Sequence, residues 1–218
     1  MVKVLGISGS PHRLGGTEQL LRCALNAADE NGADTNFMRA YDGEIKPCIG
    51  CIHTDEPTCR FPCIFEDHGK TLLLKIHESD VIIFATPVYW YGPSGQIKNL
   101  VDRMTCMENM TSFGEPSYME GKVIGVITVG SDAGLVFASA HLMTALNGMG
   151  AVVPPWAYAY SDKGDNAIFD DAAVMDAINV GKICVSMAQT IKSSLEKMRY
   201  REDKGLMEKI RQKIVKNL

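Results

Sequence analysis

The sequence has 218 residues, 46% of them hydrophobic, and a formal net charge of -4. That length supports one sizeable core, and the mild acidity offers no basic surface for nucleic acid. No apolar run approaches the ~20 residues of a membrane span, and the short apolar stretch at the N-terminus is below signal-peptide length, which predicts a cytoplasmic protein.

Residues 2–7 read as a buried strand, followed by the Gly- and Ser-rich stretch Gly6-Ile7-Ser8-Gly9-Ser10-Pro11-His12-Arg13-Leu14-Gly15-Gly16-Thr17. From residue 17 to 31 the apolar positions Leu20, Leu21, Ala24, Leu25 and Ala28 recur at helical spacing, with Thr17 as the expected N-cap. A weaker strand follows over 33–40. Residues 41–68 form a long connection with four cysteines and little periodicity, a length usually kept for function.

A helix is expected over 67–77, and 80–85 is the clearest strand, short and β-branched. It runs into Thr86-Pro87-Val88-Tyr89-Trp90-Tyr91-Gly92-Pro93, after which Ser94 opens another helix. Residues 122–129 are a further buried strand ending in Gly130-Ser131-Asp132-Ala133-Gly134. Helices are expected over 135–147 and 172–198, with a last strand at 151–153 limited by Pro154 and Pro155. The final residues place Leu206, Met207, Ile210 and Ile214 at helical spacing among Lys and Arg, which suits a helix packed on the domain or on a partner.

Five strands alternating with helices predict a parallel sheet in the order 2-1-3-4-5 with helices on both faces. In that order the loops after the first, third and fourth strands meet at the carboxyl edge beside the switch point, where ligands bind. A Gly-rich loop between a strand and a helix N-terminus suits a phosphate, because first-turn amides are unpaired and the helix dipole favours negative charge. The triphosphate loop G-x-x-x-x-G-K-[ST] fails, since no Lys precedes Thr17, and the dinucleotide fingerprint G-x-G-x-x-G fails on spacing. A monophosphate loop without a cation remains. Ser8, Ser10 and Thr17 supply hydroxyls, Gly15 and Gly16 allow close backbone approach, and Glu18 stands in the same first turn.

The cysteines are spaced Cys48-x2-Cys51-x7-Cys59-x3-Cys63. Four thiolates on a compact loop suit a [4Fe-4S] cluster or a structural zinc, while free thiols or a reversible disulfide stay open. Cys23, Cys106 and Cys184 fall on expected helices and read as buried small hydrophobes.

Three motifs taken together resemble the NADPH-dependent FMN reductases: Gly6-Ile7-Ser8-Gly9-Ser10-Pro11, Ala85-Thr86-Pro87-Val88-Tyr89-Trp90, and Gln96-Ile97-Lys98-Asn99-Leu100-Val101-Asp102-Arg103. Within that family the sequence is most similar to the iron–sulfur flavoproteins. The resemblance implies a flavodoxin-like α/β domain over residues 1–198 with a Cys-rich insertion at 41–68, and a helical extension over 199–218. It implies FMN as cofactor, with Ser8, Ser10 and Thr17 on the phosphate. Pro87, Val88, Tyr89, Trp90, Tyr91 and Gly92 would line the ring, and Gly130 and Ser131 would close the other side. Many relatives carry Asn where this sequence has Gly16.

The family's cluster pattern is C-x2-C-x2-C-x5-C or similar. Cys48 and Cys51 match its first pair and Cys63 its fourth member, while the third position falls at Thr54, leaving Cys59 as the substitute. No catalytic acid or base is expected, because the flavin carries the electron chemistry. The resemblance implies an oxidoreductase passing electrons from NAD(P)H to a flavin, quinone or similar acceptor. The alternative is an iron–sulfur flavoprotein that exchanges electrons between a protein donor, a cluster and FMN; a sensing module without turnover is a third. A homodimer or homotetramer is implied, since partner loops often complete the flavin site in this family.

Overall fold

The computed structural model describes residues 1–53, 59–192, 194 and 203–215. Five parallel strands form the sheet: β1 (Lys3–Ser8), β2 (Asp34–Arg39), β3 (Val81–Tyr89), β5 (Val123–Val129) and β6 (Tyr158–Ser161). A two-residue strand, β4 (Gly92–Pro93), folds back antiparallel on the end of β3. The order is β2-β1-β3-β5-β6, which is the expected 2-1-3-4-5 arrangement once β4 is set aside. Val4 pairs with Val81, and Val81 with Val123, so the three central strands run in step.

Successive side chains of a strand point to opposite faces, and both faces are apolar here. Leu5, Ile7, Ile82, Phe84 and Val126 face one core layer, completed by α2 (His68–Glu78), α3 (Gly95–Arg103) and α5 (Leu135–Gly148). Val4, Ile83 and Ile127 face the other, covered by α1 (Gly16–Glu30) and α6 (Asp171–Ile191). The two covering helices nearly touch. A Cβ at Gly181 would stand 2.1 Å from the Ala24 carbonyl oxygen, so this crossing needs glycine. A short α4 (Thr105–Glu108) continues α3 under the cysteine loop, and α7 (Lys204–Val215) lies beyond α6.

Two boundaries differ from the sequence reading. The last strand is not at 151–153, where Val152 makes a single bridge to Val123. Pro154 and Pro155 end that pairing because proline has no N–H to donate, and Tyr158–Ser161 takes the ladder beside Val126–Val129 instead. Helix α1 starts one residue earlier than expected. Gly15 holds the N-cap position, and Thr17 is buried in the first turn. The expected continuation of α6 to residue 198 lies largely outside the described residues.

Candidate functional site

The first loop leaves the end of β1 and returns as α1. Gly9 N–H donates to the Ala85 carbonyl at 2.7 Å, which ties the loop to β3. Ser8 and Ser10 are buried, and their hydroxyls accept from Ser10 N–H (3.5 Å) and His12 N–H (3.1 Å), curling the chain. No side chain caps the N-terminus of α1, so its first amides remain directed at the loop.

A buried ion pair absent from the sequence reading braces this loop. Glu18 carries the expected position but its carboxylate is taken up elsewhere. It accepts from Leu14 N–H at 3.2 Å and from Arg22 at 2.7 and 2.9 Å, and it pairs with Arg39. Burial pushes the Glu18 carboxyl up, but the Arg22 hydrogen bonds, the Leu14 amide and the charges of Arg22 and Arg39 hold it below the ordinary value. Arg39, at the end of β2, donates to the carbonyls of Ser10 (3.1 Å) and Pro11 (3.2 Å). The loop thus has a cation bound to its underside, and Glu18 neutralises it.

The turn at residues 164–169 packs on the start of α1. Gln19 Nε2 donates to the Asp165 carbonyl at 3.1 Å, and Ile168 N–H donates to Gln19 Oε1 at 3.2 Å. A Cβ at Gly16 would lie 2.0 Å from the Gly164 carbonyl oxygen. That contact leaves no room for a side chain and accounts for glycine at this position.

On the neighbouring strands, Trp90 (φ 48°) and Tyr91 (φ 65°) form the turn between β3 and β4. Two positive φ values in succession describe a hairpin turn that favours Asn and Gly, so bulky aromatics there hold strain. Trp90 is 97% exposed, and the Tyr91 ring meets Phe137 edge-on at 6.1 Å. Val88, Trp90, Tyr91, Gly130, Ser131, Asp132 and Ala133 line a cavity of about 230 Å³. The structure therefore brings together two predicted walls of the ring site. Beneath them, Thr86 Oγ1 donates to the Pro87 carbonyl and accepts from Ser94 N–H, both at 2.9 Å. Tyr89 leans toward Tyr41, and burial raises its phenol above the usual value.

The first loop and this cavity are separate, but both stand at the carboxyl edge, where β1 ends at Ser8 and β5 at Val129. A larger cavity of about 810 Å³, bordered by Glu108, Glu115, Glu120 and Met149, adjoins the start of β5 at the opposite edge and carries none of the predicted site residues.

The cysteine loop packs under α2, α3 and α4. Cys51, Cys59, Cys63 and Cys106 are buried and Cys48 is half-buried. Cys63 is the most strongly supported sulfur. It accepts a hydrogen bond from the Cys106 thiol, from the Phe65 backbone, and from Arg103 Nε at 3.1 Å. The Cys106 thiol first, then the Phe65 amide and Arg103 against the cost of burial, bring the Cys63 thiol down to about 5. Cys59 lies against Cys51, and burial followed by the neighbouring sulfurs pushes it up to about 12.

Arg103 is itself buried. It binds Asp67 through two bonds of 2.8 and 3.1 Å, donates to the Lys46 carbonyl at 3.1 Å, and stacks over Phe65 at 4.8 Å. Burial raises the Asp67 carboxyl, but Arg103 and the amides of Lys46 and Lys70 bring it down to about 2. Cys106 is buried in the core on its helix as expected, and its thiol in addition meets Cys63. Cys184 is buried in the core as expected.

Among the described residues no three Cys, His, Asp or Glu stand in metal-holding geometry. The sulfurs are free thiols gathered as two hydrogen-bonded pairs, Cys51 with Cys59 and Cys63 with Cys106, within electrostatic reach of each other and of Cys48. In number and chemistry they fit a four-thiolate cluster, and the pairs must open to take one. Thr54 lies outside the described residues.

Comparison with known proteins agrees with the layout. An iron–sulfur flavoprotein of Methanocaldococcus jannaschii is 45% identical over 102 residues, 47% of this chain and 51% of its own length. The chain thus matches about half of that relative. Among solved structures, RosB with a bound 8-demethyl-8-formylriboflavin-5'-phosphate intermediate is similar at TM-score 0.75 and 19% identity, over 100% of this chain and 88% of that one. An archaeal flavodoxin is similar at TM-score 0.55 and 12% identity, over 88% and 99%. These likenesses establish a flavodoxin-like fold. Residues 2–166 match the model of the NADPH-dependent FMN reductases, and the chain belongs to that family.

Proposed function

We propose that this chain is an FMN-dependent oxidoreductase in which the flavin exchanges electrons with a cluster held by the cysteine loop. The observation that carries the flavin reading is the carboxyl edge itself, an uncapped α1 behind a Ser-lined loop beside an aromatic-walled cavity. Ser8, Ser10, Gly15, Gly16 and Thr17 would hold the phosphate, with Glu18 and Arg39 fixing the loop from below. Val88, Trp90, Tyr91, Gly130 and Ser131 would hold the ring. At about 230 Å³ this cavity is smaller than the ~300–1,000 Å³ of an enclosed ligand site, so one ring face stays open to a nicotinamide or a partner. The exposed Trp90 suits cover by a second copy, as in a homodimer or homotetramer.

FMN supplies one- and two-electron chemistry when bound. The residues named above would orient and shield it. The thiol nest favours the electron-transfer reading over a simple NAD(P)H-to-quinone or NAD(P)H-to-flavin reductase. Cys48, Cys51, Cys59 and Cys63 would hold a [4Fe-4S] cluster. Arg103 and Cys106 direct hydrogen bonds at the Cys63 sulfur, an arrangement that tunes such sites.

The test is anaerobic reduction of the purified protein with NADPH, NADH and a reduced low-potential iron–sulfur protein, followed by flavin absorbance. Rapid bleaching by the protein donor supports this reading. Bleaching by NAD(P)H alone, in a protein without iron, supports the simple reductase.

A further inference from the structure

Helix α7 buries none of its residues, although Leu206, Met207, Ile210 and Ile214 form one stripe down its side, each at least half exposed. By helical geometry, Lys204 and Arg211 flank that stripe on one side, and Lys209 and Lys213 on the other. A helix of 12 residues is marginal in water without a surface to pack on.

The described surface offers a complementary groove between the edge strand β6 and α6. Trp156, Tyr158, Tyr160, Asp176, Asn179 and Ile183 line a cavity of about 540 Å³ there. Tyr158 and Tyr160 stack at 6.0 Å, and Trp156 is 80% exposed at a strained φ of 58°. One carboxylate, the exposed Asp176, stands among the residues that line it.

Charge divides along the sequence in the same sense. Residues 1–192 have 14 Lys and Arg against 22 Asp and Glu, a net of -8, while residues 193–218 have 8 against 4, a net of +4. A basic, apolar-striped helix and an aromatic groove that carries Asp176, on a body of net negative charge, match in both chemistry and sign.

We propose that α7 of one copy lies in the β6–α6 groove of a second copy, as an arm exchanged between them. Among the described residues α7 buries none of its side chains, and none of them lines the groove. The eleven residues 193–203 span up to ~36 Å, long enough for an arm to cross between bodies. Reciprocal exchange closes a two-fold pair in which both grooves and both stripes are covered.

The full-length protein with the photo-reactive residue p-benzoylphenylalanine in place of Ile210 tests this directly. Irradiation should give a covalent dimer on a denaturing gel, with the adduct mapping to residues 156–183. Adding Asp176→Lys, an exposed change, should cut the dimer yield several-fold. Adducts confined to single chains would mean that the helix packs on its own body and would overturn the proposal. So would a covalent dimer joined elsewhere, or no adduct. Sedimentation with anionic lipid vesicles in place of dimer would assign the helix to a membrane surface and equally overturn it.

Discussion

Replacing Gly16 with Asn separates the structural account from the family pattern. By the family pattern that the resemblance implies, Asn at this position should help FMN binding. By geometry it should harm it. The new Cβ would stand 2.0 Å from the Gly164 carbonyl oxygen, where ordinary contact begins at 3.4 Å, so backbone must retreat by more than 1 Å. That backbone is anchored, because Gly164 N–H donates to the Gly130 carbonyl at 3.0 Å and Gln19 holds the next residue. Overpacking against a fixed backbone costs about 1–3 kcal/mol.

The displaced turn touches both the first loop and Gly130, a wall of the ring cavity, so the cost should appear in binding. That corresponds to an FMN dissociation constant about 5- to 150-fold higher. Fluorescence titration of apoprotein with FMN measures it. Gly148→Ala, at the end of α5 and away from the carboxyl edge, is the control. There the new atom meets nothing within 4 Å, and affinity should change by no more than about twofold. Affinity in Gly16→Asn equal to the parent's would refute the packing argument.

Other predictions concern the buried charges and thiols. Arg39→Met leaves buried Glu18 with Arg22 as its one cation and should lower stability by less than the ~3–5 kcal/mol of a fully unpaired buried charge, and pairing it with Glu18→Gln should recover part of the loss; urea midpoints of the two variants decide. Asp67 ionises at about 2 when folded, against 3.8 ordinarily, so its contribution is complete above pH 4 and fades as pH falls through 2. The stability gap between parent and Asp67→Asn should therefore narrow by about 2 kcal/mol between pH 5 and pH 2, and a constant gap in acid unfolding would contradict the Arg103 pairing. Cys106→Ala removes the thiol that donates to Cys63, so Cys63 in the apoprotein should titrate above about 5, read by ultraviolet thiolate absorbance, with iron binding by the four loop cysteines retained.

The sheet was legible because its strands are short, β-branched and separated by helical spacing, and because loop composition marked the carboxyl edge. Strand order put the loops after β3 and β5 at one edge, and the family resemblance put Val88 and Gly130 on one ligand; both line one cavity. What stayed hidden joins residues far apart in sequence. Arg39 reaches Glu18 across 21 positions, and Arg103 reaches Cys63 across 40. Neither pairing has a spacing that a local pattern could register. Cys106 looked like any apolar helix position until α4 brought it to Cys63. Gly16 looked like a departure from the family until the turn at Gly164 supplied the oxygen that excludes a side chain. The last strand was misplaced because Val152 and Val153 have higher strand propensity than Tyr158-Ala159-Tyr160-Ser161, but prolines beside them block the pairing.

The visible spectrum of anaerobically purified protein, with chemical iron and sulfide on the same sample, tests the central claim most directly. The account predicts flavin bands with FMN released on denaturation, together with about four iron and four sulfide per chain. Flavin bands with no iron would contradict the cluster, and a protein with neither flavin bands nor the capacity to take up added FMN would contradict the account as a whole.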